Sequence, residues 1–303
     1  MIDLFILFRD NLLPILLIAG AGFALGKVFK ITPRALSQVI FYIFSPALVF
    51  HLLTDNDLNN KDIVITILFA TVLLVILAGL TWLGGKLLKL DRKMMAAVLL
   101  TALFMNAGNY GLPVIDIAFG GTALAFASLF FVTTATYTNS VGVVIASSGH
   151  TSVLKAIKGL LRLPSIYALI LGIIIVRLGV DLHPTLDRTI DMLAGASIPS
   201  MLVLLGLQFV NIKLDGQLRP LLLVSAMRLL VAPLLAIGLT RLFGMTGPAY
   251  QATVLEAGMP SAVLTTVLAT EFDCQPSFVT TVVFATTLLS PLTLTPLLYF
   301  LGA

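Results

Sequence analysis

The sequence predicts an all-α polytopic membrane protein with about ten transmembrane helices of roughly 20–25 residues each. Composition is the first reason: 59% of the 303 residues are hydrophobic, 11% are charged, and the mean hydropathy is +1.08. Soluble domains average about 25% charged residues. The second reason is that the apolar residues form separate stretches, each long enough to cross a bilayer as a helix. The third is that the basic residues collect in the short segments between these stretches.

Ten spans are predicted, and we number them in chain order. The fourth and ninth are expected to be broken, and the second and seventh contain Pro46 and Pro199. Residues 147–163 are predicted to be a cytoplasmic linker that joins a first five-helix repeat (1–146) to a second (164–303). The predicted limits are 11–29, 35–53, 63–83, 94–119, 122–146, 164–178, 189–210, 218–243, 249–269 and 276–301.

The two halves share features at matched positions, which indicates an internal repeat. Because each half has five spans, an odd number, the second half must enter the membrane from the opposite side, as in the inverted repeats of many secondary transporters. The matched features are Pro14 with Pro164, Pro46 with Pro199, Pro113 with Pro260, and the sequence FVTT at Phe131 with FATT at Phe284, at offsets of 147 to 153 residues.

The segment FMNAGNYGLPV, residues 104–114, interrupts the fourth span. It combines two amides, Asn106 and Asn109, with Gly108, Gly111 and Pro113. A proline inside a helix lacks an N–H donor and clashes with the preceding turn, so the helix breaks or kinks there. In hydrocarbon the freed backbone groups need partners, which restricts such breaks to places that are packed in protein or line a polar cavity.

The ninth span has a corresponding interruption at Gly258 and Pro260. We expect Pro113 and Pro260 to face each other at mid-membrane, with Asn109 and Glu256 lining one cavity. The half-helices that begin at the breaks would direct their positive N-terminal ends towards this point, which favours an anionic group. Paired broken helices at the midplane are typical of the substrate site of a transporter.

Asn106 and Asn109 are the first candidates for substrate binding, because an amide both donates and accepts hydrogen bonds. They could instead satisfy the backbone freed by the break. Glu256 and Arg228 are ionisable residues inside apolar spans, where such groups are costly and usually functional. Glu256 is predicted to take up a proton or bind a cation, or to form a fixed ion pair with Arg228. Weaker candidates, each with a simple packing explanation, are Tyr110, Asn139, Met259, Thr134 and Thr287 for substrate binding and Asp116 for coupling.

The distribution of lysine and arginine predicts the orientation, since positive loops stay on the cytoplasmic side. With an even number of spans, both termini are expected outside the cell, in a multi-pass protein of the inner (plasma) membrane. The richer set of loops holds Lys27, Lys30, Arg34, Lys86, Lys89, Arg92, Lys93, Lys155, Lys158, Arg162, Lys213 and Arg219, and the opposite set holds Arg9, Lys61, Arg177, Arg188 and Arg241.

The strings NAGNYGLP at Asn106, EAGMP at Glu256 and SPAL at Ser45 resemble the auxin efflux carrier family over nearly the whole chain. The resemblance implies ten helices in two inverted five-helix repeats, broken helices 4 and 9 that cross at their prolines, and a homodimer with an elevator motion. Spans 1, 2, 6 and 7 would form the scaffold and dimer surface, and spans 3–5 and 8–10 the moving transport domain. The chain lacks the long central loop of the plant members and resembles the short bacterial ones, whose proposed substrates are malate, malonate or other organic anions.

We therefore expect a secondary active transporter of a small organic carboxylate anion, coupled to a proton, to sodium or to no ion. The alternative is an anion channel or a uniporter without ion coupling. An intramembrane enzyme is disfavoured, since no Ser/His or paired-Asp motif lies within the spans. No Gly-Lys-Ser/Thr phosphate loop is present, no cofactor or metal site is indicated, the single cysteine excludes an intrachain disulfide, and the short basic loops do not predict nucleic-acid binding.

Overall fold

The computed structural model describes residues 2–56, 58–147, 163–210 and 217–303, which are helical with short connections. Apart from its two end residues, the predicted linker 147–163 lies outside the described residues. The helices are α1 (Leu4–Phe29), α2 (Pro33–Thr54), α3 (Asn60–Leu87), α4 (Arg92–Leu103), α5 (Leu112–Phe119), α6 (Gly121–Ala146), α7 (Pro164–Leu178), α8 (Pro184–Gln208), α9 (Leu218–Leu242), α10 (Gly247–Ala257), α11 (Leu264–Glu271) and α12 (Pro276–Leu301).

Seven of these helices are long and apolar enough to cross a membrane: α1, α2, α3, α6, α8, α9 and α12. The shorter helix α7 is also apolar. The prediction of an all-helical, multi-pass membrane protein is therefore confirmed. The predicted fourth and ninth spans correspond to two pairs of shorter helices, α4 with α5 and α10 with α11, and each pair is separated by non-helical or π-helical residues.

Several helices extend beyond their predicted limits because polar residues cap them. Asn59 and Asp62 form a capping box at the start of α3: the Asn59 side chain accepts from the Asp62 N–H at 3.0 Å, and the Asp62 carboxylate accepts from the Asn59 N–H at 3.4 Å. This arrangement satisfies two of the backbone donors that a helix N-terminus leaves unpaired. The helix consequently starts at Asn60, and not at residue 63 as its apolar pattern predicts.

Two groups of helices pack mainly among themselves. In the first group α8 runs along α1 and α2, and α7 packs against α2. In the second group α6 contacts α3, α5 and α10, and α9 contacts α10. Helices α2 and α8 of the first group also touch the second group, at α6 and at the π-helical turn Ala107–Gly111 respectively. The candidate site described below lies along this boundary.

Helices α1 and α8 approach each other closely enough for their backbones to touch. A Cβ atom added to Gly22 would overlap the main-chain carbonyl of Val203, and one added to Gly206 would overlap the carbonyl of Ala19 and lie 2.6 Å from the backbone nitrogen of Phe23. Small residues at helix interfaces allow such contact in membranes, where van der Waals packing drives association. The two glycines therefore set the distance between α1 and α8.

We expect Gly22→Ala to destabilise the protein by about 1–3 kcal/mol, because the added methyl group meets backbone that has no rotamer with which to move away. Gly20→Ala is the matched control, two residues away on the same helix, where an added Cβ meets nothing within 4 Å. The melting temperatures of the two purified variants are compared by thermal unfolding in the same detergent. Equal melting temperatures for both variants and the parent would contradict the packing described here.

Candidate functional site

The two interrupted regions meet and bond to each other through their main chains. Helix α4 ends at Leu103, after which Phe104 is extended. The Asn106 N–H donates to the Pro260 carbonyl at 2.8 Å, and the Ala262 N–H donates to the Phe104 carbonyl at 2.8 Å. This is a short antiparallel pairing in the midst of helices. Each interruption supplies the hydrogen-bond partners that the other lacks, as a low-dielectric membrane interior requires.

Side chains complete this junction, by which we mean residues 104–106 paired with residues 260–262. The Ser261 hydroxyl donates to the Thr101 carbonyl at 2.8 Å, and the Ser261 N–H donates to the Thr286 hydroxyl at 3.2 Å. All three residues are buried. The junction is thus tied to the last turn of α4 and to α12 as well as to itself.

Arg228 of α9 is the largest fully buried side chain in the described part of the protein. Its Nε donates to the Met259 carbonyl at 3.1 Å, its Nη1 donates to the carbonyls of Ala102 at 2.8 Å and Leu103 at 3.5 Å, and its Nη2 donates to the Ala257 carbonyl. Helix C-termini leave such carbonyls unpaired and concentrate partial negative charge there. The guanidinium therefore caps the ends of α4 and α10 together.

Glu256, in the last turn of α10, is also fully buried. Neither carboxylate oxygen has a hydrogen-bond partner among the described residues, and no N···O contact within 4.0 Å joins it to Arg228. Its carboxyl group lies against Gly111, where an added Cβ would be 2.7 Å from the carboxyl carbon. The predicted alternative of a direct ion pair with Arg228 is not formed, because main-chain carbonyls take the guanidinium donors.

A cavity of about 160 Å³ lies beside the junction, and we call it the junction cavity. Four of the predicted substrate-binding candidates, Asn106, Asn109, Thr134 and Asn139, line it together with Gly108, which was predicted only as part of the break. The other lining residues come from α2, α6, α8 and the start of α11: Ser37, Ile40, Phe41, Ser45, Met105, Ala107, Phe131, Ala135, Thr138, Met201, Leu204, Gln208, Ala262, Val263, Leu264 and Val267.

Glu256 does not line the junction cavity, so the expectation that it shares one cavity with Asn109 is wrong. The turn Ala107–Gly111 explains the separation. Its first residues, including Gly108 and Asn109, face the cavity, whereas Gly111 packs on the carboxylate. The two groups therefore contact different residues of one turn.

The polar side chains of the junction cavity differ in how their hydrogen bonds are used. Thr134 donates to the Phe131 carbonyl at 3.1 Å, and the Asn139 amide donates to the Ala135 carbonyl at 2.8 Å, so both bond their own helix. The Asn106 amide nitrogen is buried without a partner among the described residues. Buried polar groups are normally hydrogen-bonded. The amides of the interrupted segment are thus better placed to bind a ligand than the polar residues of α6.

Two helix N-termini also face the junction cavity. Residues 107–109 begin the turn that leads into α5, residues 262–264 lead into α11 at Leu264, and both sets line the cavity. The first N–H groups of a helix have no partner within the helix and carry partial positive charge. Combined with the neighbouring amides, they form an environment suited to a carboxylate. No lysine or arginine is among the lining residues.

The other predicted site residues lie elsewhere. Tyr110 is buried and its hydroxyl accepts from Ser290 at 3.3 Å, while Met259 is buried with its carbonyl bound by Arg228. Thr287 donates to the Val283 carbonyl at 2.7 Å and lines a separate cavity of about 510 Å³ between α1, α8 and α12. None of these three residues lines the junction cavity.

Asp116 is half-buried in a third cavity, of about 390 Å³, between α2, α5, α6 and α8. His51 and Asp191 line the same cavity, and the His51 Nε2 lies 3.9 Å from the Asp191 carboxylate.

Pro113 and Gly258 are buried, and Gly258 packs against Leu297 of α12. Within the described ranges, no group of three or more His, Cys, Asp or Glu residues is arranged to hold a metal ion.

Gln208 and Ser261 are two polar residues of this region that were not singled out from the sequence. Gln208 lines the junction cavity from α8, and its side-chain oxygen is buried without a partner in the described ranges. It is a lone amide in the apolar run MLVLLGLQFV, and that signal could have identified it. Ser261 bonds the junction to α4, and its place directly after the breaking Pro260 was the available signal.

Interrupted helices that meet beside a cavity with polar lining residues, in an all-helical, multi-pass chain, are typical of membrane transporters. The chain matches the membrane transport protein family over residues 8–155 and 148–298. It belongs to this family, which includes the auxin efflux carriers, and the resemblance of its motifs is confirmed.

Two archaeal relatives align with almost the full chain. An uncharacterized transporter of Methanothermobacter thermautotrophicus is 29% identical over 289 residues, which cover 93% of this chain and 94% of the relative. An uncharacterized transporter of Methanocaldococcus jannaschii is 26% identical over 303 residues, with the same coverage of 93% and 94%.

We expect Gly111→Ala to destabilise the protein by about 1–3 kcal/mol, because its new methyl group would press on the enclosed Glu256 carboxylate. Glu256→Ala removes that obstacle, so Gly111→Ala should cost much less in the Glu256→Ala background, and the two effects should be strongly non-additive. Thermal unfolding of the two single variants and the double variant measures the coupling.

Gly121→Ala is the control for this cycle, since an added Cβ at Gly121 meets nothing within 4 Å. Its effect should be small and should be the same with and without Glu256. Additive effects of Gly111→Ala and Glu256→Ala would show that the two residues do not touch.

Proposed function

We propose that this protein is a secondary active transporter of a small organic carboxylate anion, working by alternating access in the plasma membrane with both termini outside the cell. One observation carries the proposal: two helix N-termini and the unpaired amide nitrogen of Asn106 converge on one cavity beside the place where two interrupted helices meet. Membership of the membrane transport protein family supports transport as the activity. The choice of a carboxylate rests on the polarity of the cavity.

We propose that the chain crosses the membrane ten times, in two inverted five-helix repeats spanning residues 1–146 and 164–303. In this reading α4 with α5, and α10 with α11, are the broken spans 4 and 9, and α7 is span 6. The direct pairing of Asn106 with Pro260 and of Phe104 with Ala262 supports a crossing of the two broken spans. The matched prolines of the two halves support the repeat.

An elevator motion fits the packing of the two helix groups. We assign α1, α2, α7 and α8 as the scaffold, which would also form the homodimer surface, and the remaining helices as the transport domain. The junction cavity is lined by α2 and α8 on one side and by α6, α11 and the junction on the other. A substrate held there would move with the transport domain past the scaffold.

The cavity favours a small anion with one or two carboxylates, of the malate or malonate kind. Backbone N–H groups, the dipoles of two helices and the amide nitrogens of Asn106 and Asn109 can donate to carboxylate oxygens, whereas the unpaired atom of Gln208 is its oxygen, which accepts. Because no fixed cation lines the cavity, the bound anion is held by dipoles and hydrogen bonds. Such a site can release its substrate on either side of the membrane.

A uniporter without ion coupling is the second candidate, and the separation of Glu256 from the junction cavity favours it. A channel is the third. Counterflow in proteoliposomes distinguishes a carrier from a channel: a carrier preloaded with unlabelled carboxylate should accumulate labelled carboxylate transiently and with saturation. A linear flux that does not respond to the internal carboxylate would indicate a channel and contradict the proposal.

We expect Asn109→Ala to weaken carboxylate binding by roughly 10- to 150-fold, since a hydrogen bond to a charged group contributes about 1.5–3 kcal/mol. The measurement is the ligand-induced rise in melting temperature across a series of mono- and dicarboxylates. Asn11→Ala is the matched control: Asn11 is a buried asparagine whose amide donates to the Leu7 carbonyl in α1, away from the cavity. An Asn109→Ala variant that binds as tightly as the parent would show that Asn109 serves only the backbone.

Glu256 is the proposed coupling residue, and its buried carboxyl would bind either a proton or sodium. Glu256→Gln mimics the protonated side chain, so we expect the variant to retain counterflow but to lose accumulation driven by a pH or sodium gradient. Glu271→Gln, an exposed change at the end of α11, is the control and should keep both activities. Unchanged gradient-driven uptake in Glu256→Gln would leave the uncoupled uniporter as the better account.

A further inference from the structure

The carbonyl oxygens around Arg228 form a cage of the kind that binds a cation. The carbonyls of Ala102, Leu103, Ala257 and Met259 all accept from the guanidinium, at distances up to 3.5 Å. They come from two segments far apart in the sequence and are brought together only at the ends of α4 and α10. Carbonyl and carboxylate oxygens are the ligands that hard metal cations prefer.

The cage has a net negative character. Two helix C-termini contribute their partial negative charges, and four main-chain carbonyl oxygens face the guanidinium. A buried charge is costly unless it is paired and hydrogen-bonded. The carbonyl oxygens and the guanidinium satisfy each other's hydrogen bonds, because neither has access to water in this interior.

Arginine suits this position better than lysine or a mobile ion would. Its planar fork presents donors in fixed directions, so one side chain can bind several carbonyls on both segments. The π-helical turn Met227–Val231 contains Arg228, and π-bulges inside helices are frequent at functional sites. The cation is covalently part of α9 and cannot leave during transport.

We propose that the guanidinium of Arg228 is a resident cation that fills the place of a metal ion between α4 and α10, so that the junction is held together without added sodium. One consequence of this inference, that sodium does not drive transport through the cage, rests on the proposed function. The stabilising role of the resident cation is independent of any transport activity. Arg228 is a positioning residue in this account, because it holds the junction whose other face lines the cavity.

Chemical rescue tests the proposal. We expect Arg228→Ala to lower the melting temperature by about 5–10 °C, the size of shift that follows from breaking a buried charge network. Millimolar guanidinium or ethylguanidinium should restore most of the loss in this variant, because the small cation can occupy the cage. Arg228→Met, which keeps much of the volume without the charge, should be destabilised and should not respond to these cations.

Arg241→Ala is the matched control, an exposed arginine on the same helix α9, and should show neither loss nor rescue. An Arg228→Met variant as stable as the parent would overturn the proposal, since the cage would then need no cation. Failure of both guanidinium and sodium to stabilise a folded Arg228→Ala variant would also overturn it.

The parent protein supplies a test that does not depend on any Arg228 variant folding. Replacing sodium by N-methylglucamine should leave the melting temperature of the parent unchanged, because the cage already holds its cation. A sodium-dependent rise in the parent that disappears in Glu256→Gln would show that a metal ion binds beside Arg228, and would overturn the proposal. Because these readouts are melting temperatures, they remain decisive even if the carboxylate transport proposed above fails.

Discussion

The requirement that every backbone polar group find a partner inside hydrocarbon is the constraint on which this structure depends. A single helix interrupted at residues 104–106, ahead of Pro113 in the first turn of α5, would expose carbonyls and N–H groups that lipid cannot satisfy. Two interruptions solve the problem together: the segments at Phe104 and Pro260 pair with each other through main-chain bonds of 2.8 Å. The need for reciprocal pairing explains why the breaks come as a pair and why they meet.

The same pairing separates the helix ends according to the sign of their partial charge. The C-terminal ends of α4 and α10 point to Arg228, which neutralises their carbonyls, and the N-terminal ends that follow the breaks face the junction cavity. A fixed cation is thus placed where the chain carries negative partial charge, and the positive partial charge remains for a ligand. In the function proposed above, stability and anion binding would arise from one arrangement, which Ser261 ties to α4 and α12.

The sequence predicted the all-helical, membrane-spanning class well, because bilayer thickness fixes the length and apolar composition of each span locally. It could not predict which surface each side chain reaches. Arg228 binds carbonyls and not Glu256, Glu256 lies against Gly111 outside the cavity, and Gln208 enters the cavity from α8. These outcomes depend on how distant helices pack and on π-helical turns that shift the register of side chains, and neither leaves a clear pattern in one sequence.

The central claim is that the substrate anion binds at the junction of the interrupted helices. The most direct test is a crystal structure of the protein with a bromine-labelled carboxylate, in which anomalous scattering locates the ligand. We expect bromine density in the junction cavity, with the carboxylate beside Asn106, Asn109 and the first residues of α11. Density confined to the cavity of Asp116, or to the apolar cavity between α1 and α12, would contradict it.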